Sequence, residues 1–162
     1  YKVRSPCSHH VDFSLQIYMA NEHVLMTQKT FPISMTVANG TGIEKGTLLK
    51  LTDPNTAIAT SAAQDPVCGI AYTEKIANDG NTQISVLSGP GDELKASASG
   101  SITVGDPLVV AAGNAGFNFL QSAVGMLGDL SGSRILGYSK ETAVASDTFK
   151  YVLNITSVPG GV

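Results

Sequence analysis

Apolar side chains occupy alternate positions in two early stretches of the chain. Val11, Phe13, Leu15, Ile17 and Met19 are separated by Asp12, Ser14, Gln16 and Tyr18, and the same period returns at Phe31, Ile33, Met35 and Val37. A period of two marks a half-buried strand, because successive side chains on a strand point to opposite faces. Asn21-Glu22-His23 between them reads as a connecting turn. Pro32 puts the start of the second strand at a sheet edge, since proline has no N–H to give to a ladder.

From Gly40 the texture changes to short apolar bursts broken by Gly, Asn and Asp-Pro. The bursts predict strands over 47–51, 57–60, 68–72, 82–87, 108–111, 116–120, 135–139 and 148–156. Asp53-Pro54-Asn55, Asp65-Pro66, Asn78-Asp79-Gly80 and Ser88-Gly89-Pro90-Gly91 supply the turns between them. Only 92–99 and 121–130 have room for a helical turn, and Gly125 and Gly128 weaken the second. The expected fold class is therefore all-β, a small barrel or sandwich. Its expected division is an N-terminal β arm over 1–39, a body over 40–156 and a short tail over 157–162.

The body repeats itself. Ile43-Glu44-Lys45-Gly46-Thr47-Leu48-Leu49 matches Ile102-Thr103-Val104-Gly105-Asp106-Pro107-Leu108. Further on, Ile70-Ala71-Tyr72-Thr73 matches Leu136-Gly137-Tyr138-Ser139, which pairs Tyr72 with Tyr138 and places an insertion within 122–132. Carrying Ile84 and Val86 onto Phe149 and Tyr151 needs a one-residue slip, such as a bulge. The reading is a pseudo-symmetric pair of β-motifs, 43–87 and 102–153, closing on one core.

Composition narrows the function. Only 14% of residues are charged against 43% hydrophobic, and ten basic against thirteen acidic residues leave a formal charge of −3. Depletion of charge is a mark of surfaces that other proteins cover. With no cluster of Lys or Arg, no nucleic-acid partner is expected. No apolar run approaches the length of a membrane span, and the opening Tyr1-Lys2-Val3-Arg4 does not read as a signal peptide. Cys7 and Cys68 fit no metal-ligand spacing and read either as one disulfide or, more plainly, as two reduced thiols.

The run Val104-Gly105-Asp106-Pro107-Leu108-Val109-Val110, with Ile135-Leu136-Gly137-Tyr138 and Ala145-Ser146-Asp147-Thr148 after it, resembles the head-decoration, or capsid cement, proteins of tailed bacteriophages. Gly46-Thr47-Leu48-Leu49-Lys50-Leu51 with Gly69-Ile70-Ala71 is similar to the same group. The resemblance covers about 40–156. It implies a small β protein, usually a homotrimer, made in the host cytoplasm and carried on the outer surface of the virion. There it would bind the major capsid protein at junctions between capsomers.

The search for chemistry agrees with a structural role. His9 and His10 are adjacent, so on a strand they point to opposite faces and chelate one metal poorly even with His23. All three histidines lie within the first 23 residues, far from a rigid Ser or Cys triad. Asp92-Glu93 and Glu141 with Asp147 could in principle serve as a carboxylate pair, but with Lys95 and Lys140 nearby they read as solvated surface. No catalytic residue, metal site or cofactor is expected. The residues expected to carry protein interaction are Val11, Phe13, Leu15, Ile17, Met19, Phe31, Ile33 and Met35. The rival class is a carbohydrate-binding β module of a head fibre or adhesin, which the lack of any Trp counts against.

Overall fold

The computed structural model describes residues 22–111, 118–126 and 135–155. Among them the regular structure is β except for a single 3-10 turn at Val124–Met126. The strands are β1 (Val24–Thr27), β2 (Ile33–Thr36), β3 (Leu48–Asp53), β4 (Thr56–Ala59), β5 (Val67–Ala71) and β6 (Gln83–Leu87). They continue with β7 (Glu93–Ser97), β8 (Pro107–Val110), β9 (Leu120–Ser122), β10 (Gly137–Ser139) and β11 (Thr148–Leu153). The all-β expectation holds. The segment read as room for a helical turn at 92–99 is instead β7, because Leu94 and Ala96 alternate with Glu93, Lys95 and Ser97 and find partners on both sides.

Strands β2-β4-β3-β5-β6 form a closed barrel. The others form a six-stranded sheet in the order β1-β7-β11-β10-β8-β9. A parallel bridge from Ala98 to Leu120 links the end of that sheet back to the residue after β7. Leaving β1 aside, the second sheet therefore runs through the same circuit as the first barrel, and both circuits close through a parallel contact, Thr36 to Thr56 in the first. Hydrogen bonds fix the correspondence. Gly46 N–H donates to Ala71 O and Ala71 N–H to Thr47 O, as Gly105 does to Ser139 and Ser139 to Asp106. Ile84 and Val86 face Met35 and Ile33, as Phe149 and Tyr151 face Ala96 and Leu94. The one-residue slip between the halves is present in this register. Tyr72 and Tyr138, however, do not correspond: Ile70 stands where Tyr138 does, and Tyr72 falls just past β5. The extra residues of the second half are shared between the β8–β9 and β9–β10 connections instead of sitting in one insertion.

Glycine is required at two of these matched places. A Cβ on Gly69 would meet Leu87 O at 2.6 Å and the Val86 side chain, and one on Gly137 would strike Val152 O. Neighbouring backbones approach there too closely for any side chain. The turns entering β3 and β8 each use a glycine at positive φ, Gly46 and Gly105, both at +88°. Asn78 and Ser146 hold the same left-handed position in the turns bridged to them.

The expected boundary at Gly40 needs correction. β2 is a stave of the first barrel, hydrogen-bonded to β6 along its length, with Met35 and Val37 in the interior. β1 extends the second sheet along β7. Residues 24–36 thus belong to the body, and of the expected arm only 1–21 lie outside the described residues. Pro32 does precede an edge, since only the far end of β2, at Thr36, touches β4.

Substituting Gly69 or Gly137 by Ala should lower unfolding stability by about 1–3 kcal/mol, the usual cost of overpacking. Gly100→Ala, whose Cβ would enter open space, should change little. Urea midpoints of the three variants check this.

Candidate interaction surfaces

The interior polar groups all have structural employment. Among the described residues no buried side-chain N or O atom lacks a hydrogen-bond partner. His23 is the centre of one buried network. Its backbone N–H donates to Gly46 O at 2.9 Å. Its ring Nε2–H donates to Asn118 O at 2.8 Å, which leaves Nδ1 to accept the Tyr151 O–H at 2.5 Å. The two rings meet edge to face, 5.5 Å between centroids. Asn118 Oδ1 in turn accepts the Leu48 N–H at 3.0 Å. Burial lowers the His23 pKa to about 4, and the carbonyl of Asn118 opposes that shift only partly. Burial also pushes the Tyr151 hydroxyl well up. A neutral imidazole between a phenol and a carbonyl is a strut joining the chain before β1 to both circuits. Of the expected connecting turn, Asn21 lies outside the described residues, and Glu22 and His23 lead directly into β1.

The acidic residues divide in two. Asp92 is fully buried, unlike the solvated surface expected of it. One oxygen accepts the backbone N–H groups of Lys29 and Thr30, the other the Thr30 hydroxyl at 2.5 Å, so it pins the β1–β2 connection. Glu93 pairs with Lys140 at 2.8 Å and Glu141 with Lys150 at 3.3 Å on the open surface. Lys75 is buried, with its Nζ donating to Asn39 O, Ile76 O and Asp79 Oδ1. The hydrogen bond from Lys75 holds the Asp79 carboxyl below its usual range. Burial pushes the Cys68 thiol up to about 11, so it is protonated at neutral pH. Among the described residues no three His, Cys, Asp or Glu side chains gather as a metal set. No helix among them is long and apolar enough to cross a membrane. His9, His10 and Cys7 lie outside the described residues.

No protein-family model matches the chain, and no curated protein matches it. Among solved structures it is similar to the N base of head fiber gp8.5 in bacteriophage phi29, at 14% identity and a TM-score of 0.48. The match covers 80% of this chain and 98% of that one.

Among the described residues several large apolar side chains are exposed. Of the residues expected to carry interaction, Phe31 is 91% exposed and Ile33 45%. Met35 is not available: it faces the inside of the first barrel, because the alternation that exposes Phe31 and Ile33 runs inward along β2. Val11, Phe13, Leu15, Ile17 and Met19 lie outside the described residues. Sequence reading missed several others. Val24 and Met26 are exposed on β1, Leu51 on β3 and Tyr138 on β10. Ile76, Val104 and Val144 stand exposed in the turns that carry Asn78, Gly105 and Ser146. The signal for the last three was present, since each directly precedes or shares a turn marked by a left-handed residue.

His23 predicts a pH dependence. Its folded pKa lies below the unfolded value of 6.5, so its contribution is complete above pH 6.5 and is lost as pH falls towards 4. Between pH 7 and pH 5 the loss should be about 2 kcal/mol. His23→Gln should be less stable at pH 7 and show a flatter profile over this window. Urea unfolding of both proteins at the two pH values measures the difference.

Proposed function

We propose that the protein is a structural component of a bacteriophage particle that decorates the outside of the capsid. It binds the major capsid protein at capsomer junctions as a homotrimer, on the outer surface of the virion, and performs no catalysis. The observation that carries this reading is the contrast between the two kinds of side chain. Polar and titratable groups inside the described structure are consumed in holding it together, while large apolar side chains stand in solvent at a strand edge, a barrel end and the turns. Exposed apolar groups on a chain with few charges are suited to burial against other proteins. The turn and strand grammar over 40–156, which resembles head-decoration proteins, supports the same reading. The alternating segment at 11–19 has the pattern of a strand that could add to a neighbour's sheet.

Attachment through several copies shares one cost of docking, so modest single contacts combine into high affinity. Because the contacts are apolar, the protein should stay on particles in about 1 M salt, where charge interactions are screened beyond ~3 Å. Decorated particles should release their genome at a higher temperature than stripped ones, since a ligand of the intact shell alone stabilises that state. Equal release temperatures would remove the cement role. Removing residues 1–21 should leave the fold intact, as read by circular dichroism, and weaken binding to particles in a sedimentation assay. Full binding by the truncated protein would exclude that segment from attachment.

A further inference from the structure

The two circuits are equivalent in path but not in surroundings. In the second, Leu94 at the start of β7 and Val110 at the end of β8 lie at the same end of the circuit, and both are buried in one apolar cluster. What covers them is the outer face of the first barrel. Leu48, Val67, Ile70 and Leu87 point away from the first barrel's interior and join one buried cluster with Leu94 and Val110. Two hydrogen bonds run across this joint, Leu48 N–H to Asn118 Oδ1 and Gln64 N–H to Val110 O at 3.0 Å.

The register assigns each of these residues a counterpart. Leu94 and Val110 correspond to Ile33 and Leu51, at the same end of the first barrel. There no described residue encloses them: Ile33 is 45% exposed and Leu51 49%, with Phe31, two residues before Ile33, 91% exposed. The outer-face residues Leu48, Val67, Ile70 and Leu87 correspond to Pro107, Ile135, Tyr138 and Val152 on the second circuit. These are apolar as well, yet Tyr138 is 45% exposed and the other three are only partly buried. Each molecule thus presents both halves of the joint it already contains, one at each end.

We propose that copies of this chain associate head to tail by repeating their internal joint. The outer face around Tyr138 and Val152 of one copy seats on the barrel end around Ile33 and Leu51 of the next. Such an interface uses two different patches, and it closes into a ring when its rotation allows. Three copies then make a ring of six similar β circuits, in which internal and intermolecular joints alternate. The number three rests on the trimer proposed above, whereas the pairing of the patches does not.

Sedimentation velocity on the full chain tests the pairing. The wild type should form a discrete species of three copies. Leu51→Glu and Tyr138→Glu each spoil one patch, so each should be monomeric while keeping the wild-type circular dichroism spectrum. Leu51→Ser and Tyr138→Ser repeat the test if a charge disturbs folding. Mixing a Leu51 variant with a Tyr138 variant is decisive, because each retains the patch the other has lost. A one-to-one dimer that grows no further is expected. A monomeric wild type, a two-fold dimer, or variants that keep the wild-type state would overturn the proposal, as would a mixture that stays monomeric. No shell is present in these measurements. A monomer that still coats particles would overturn the ring and leave decoration standing, and a trimer that ignores particles would do the reverse.

Discussion

Burial of the barrel's outer face against the six-stranded sheet is the contact from which the rest of this molecule follows. Leu48, Val67, Ile70 and Leu87 are apolar on strands whose opposite face already fills a core, so β3, β5 and β6 are covered on both sides. Strands covered on both sides lose the alternation that marks a half-buried sheet. Leu48-Leu49, Ile70-Ala71 and Val86-Leu87 are accordingly apolar pairs, one residue for each core. Among the described residues, the fully buried aromatic rings of the apolar clusters, Phe149 and Tyr151, are in the second circuit. The cluster inside the first barrel is made of aliphatic and small side chains, while the cluster of the second circuit also takes in the outer face of the first.

Polar groups are placed where this joint would otherwise leave backbone unsatisfied. Leu48 N–H donates to the Asn118 oxygen, and without that acceptor it would be a buried backbone donor with no partner at the joint. Asn118 is steadied by His23, and His23 by Tyr151. A buried network of this kind is stabilising only while every member is satisfied. Neutral histidine suits the position because it donates on one side and accepts on the other, whereas an imidazolium would set a second donor against the Tyr151 hydroxyl, which would have to turn its proton away to accept it.

The sequence revealed the strands of the body and their duplication because both are local properties. Apolar bursts, glycine turns and the matching Ile-x-x-Gly motifs can be read within a few residues. What it concealed was which residues oppose each other across the chain. Tyr72 and Tyr138 look alike in their short motifs, but the backbone ladder sets Tyr138 opposite Pro107, in the place of Ile70 opposite Leu48. The alternation at Phe31, Ile33, Met35 and Val37 correctly marked a strand without telling which part of its apolar side would be enclosed. Asp92 gave no warning either, because a carboxylate that caps backbone N–H groups 62 and 63 residues away is spelled the same as one in solvent. Of the exposed surface, Phe31 and Ile33 could be read in advance. Leu51 and Tyr138 could not, since their exposure depends on the absence of a neighbour that their counterparts have.

The order of pairing along the chain is interlaced: β1 belongs to the second sheet, β2 to β6 to the first barrel, and β7 to β11 to the second. During synthesis the first barrel has all five of its strands once Leu87 has emerged. β1 has no native partner until Glu93 to Lys95 follow, and His23 has no phenol to receive until Tyr151 appears near the end. Domains generally fold as units while the chain is being made. Here a segment made before the first barrel is among the last that can be locked, so the growing chain carries an unpaired β1 beside a barrel that is already able to close.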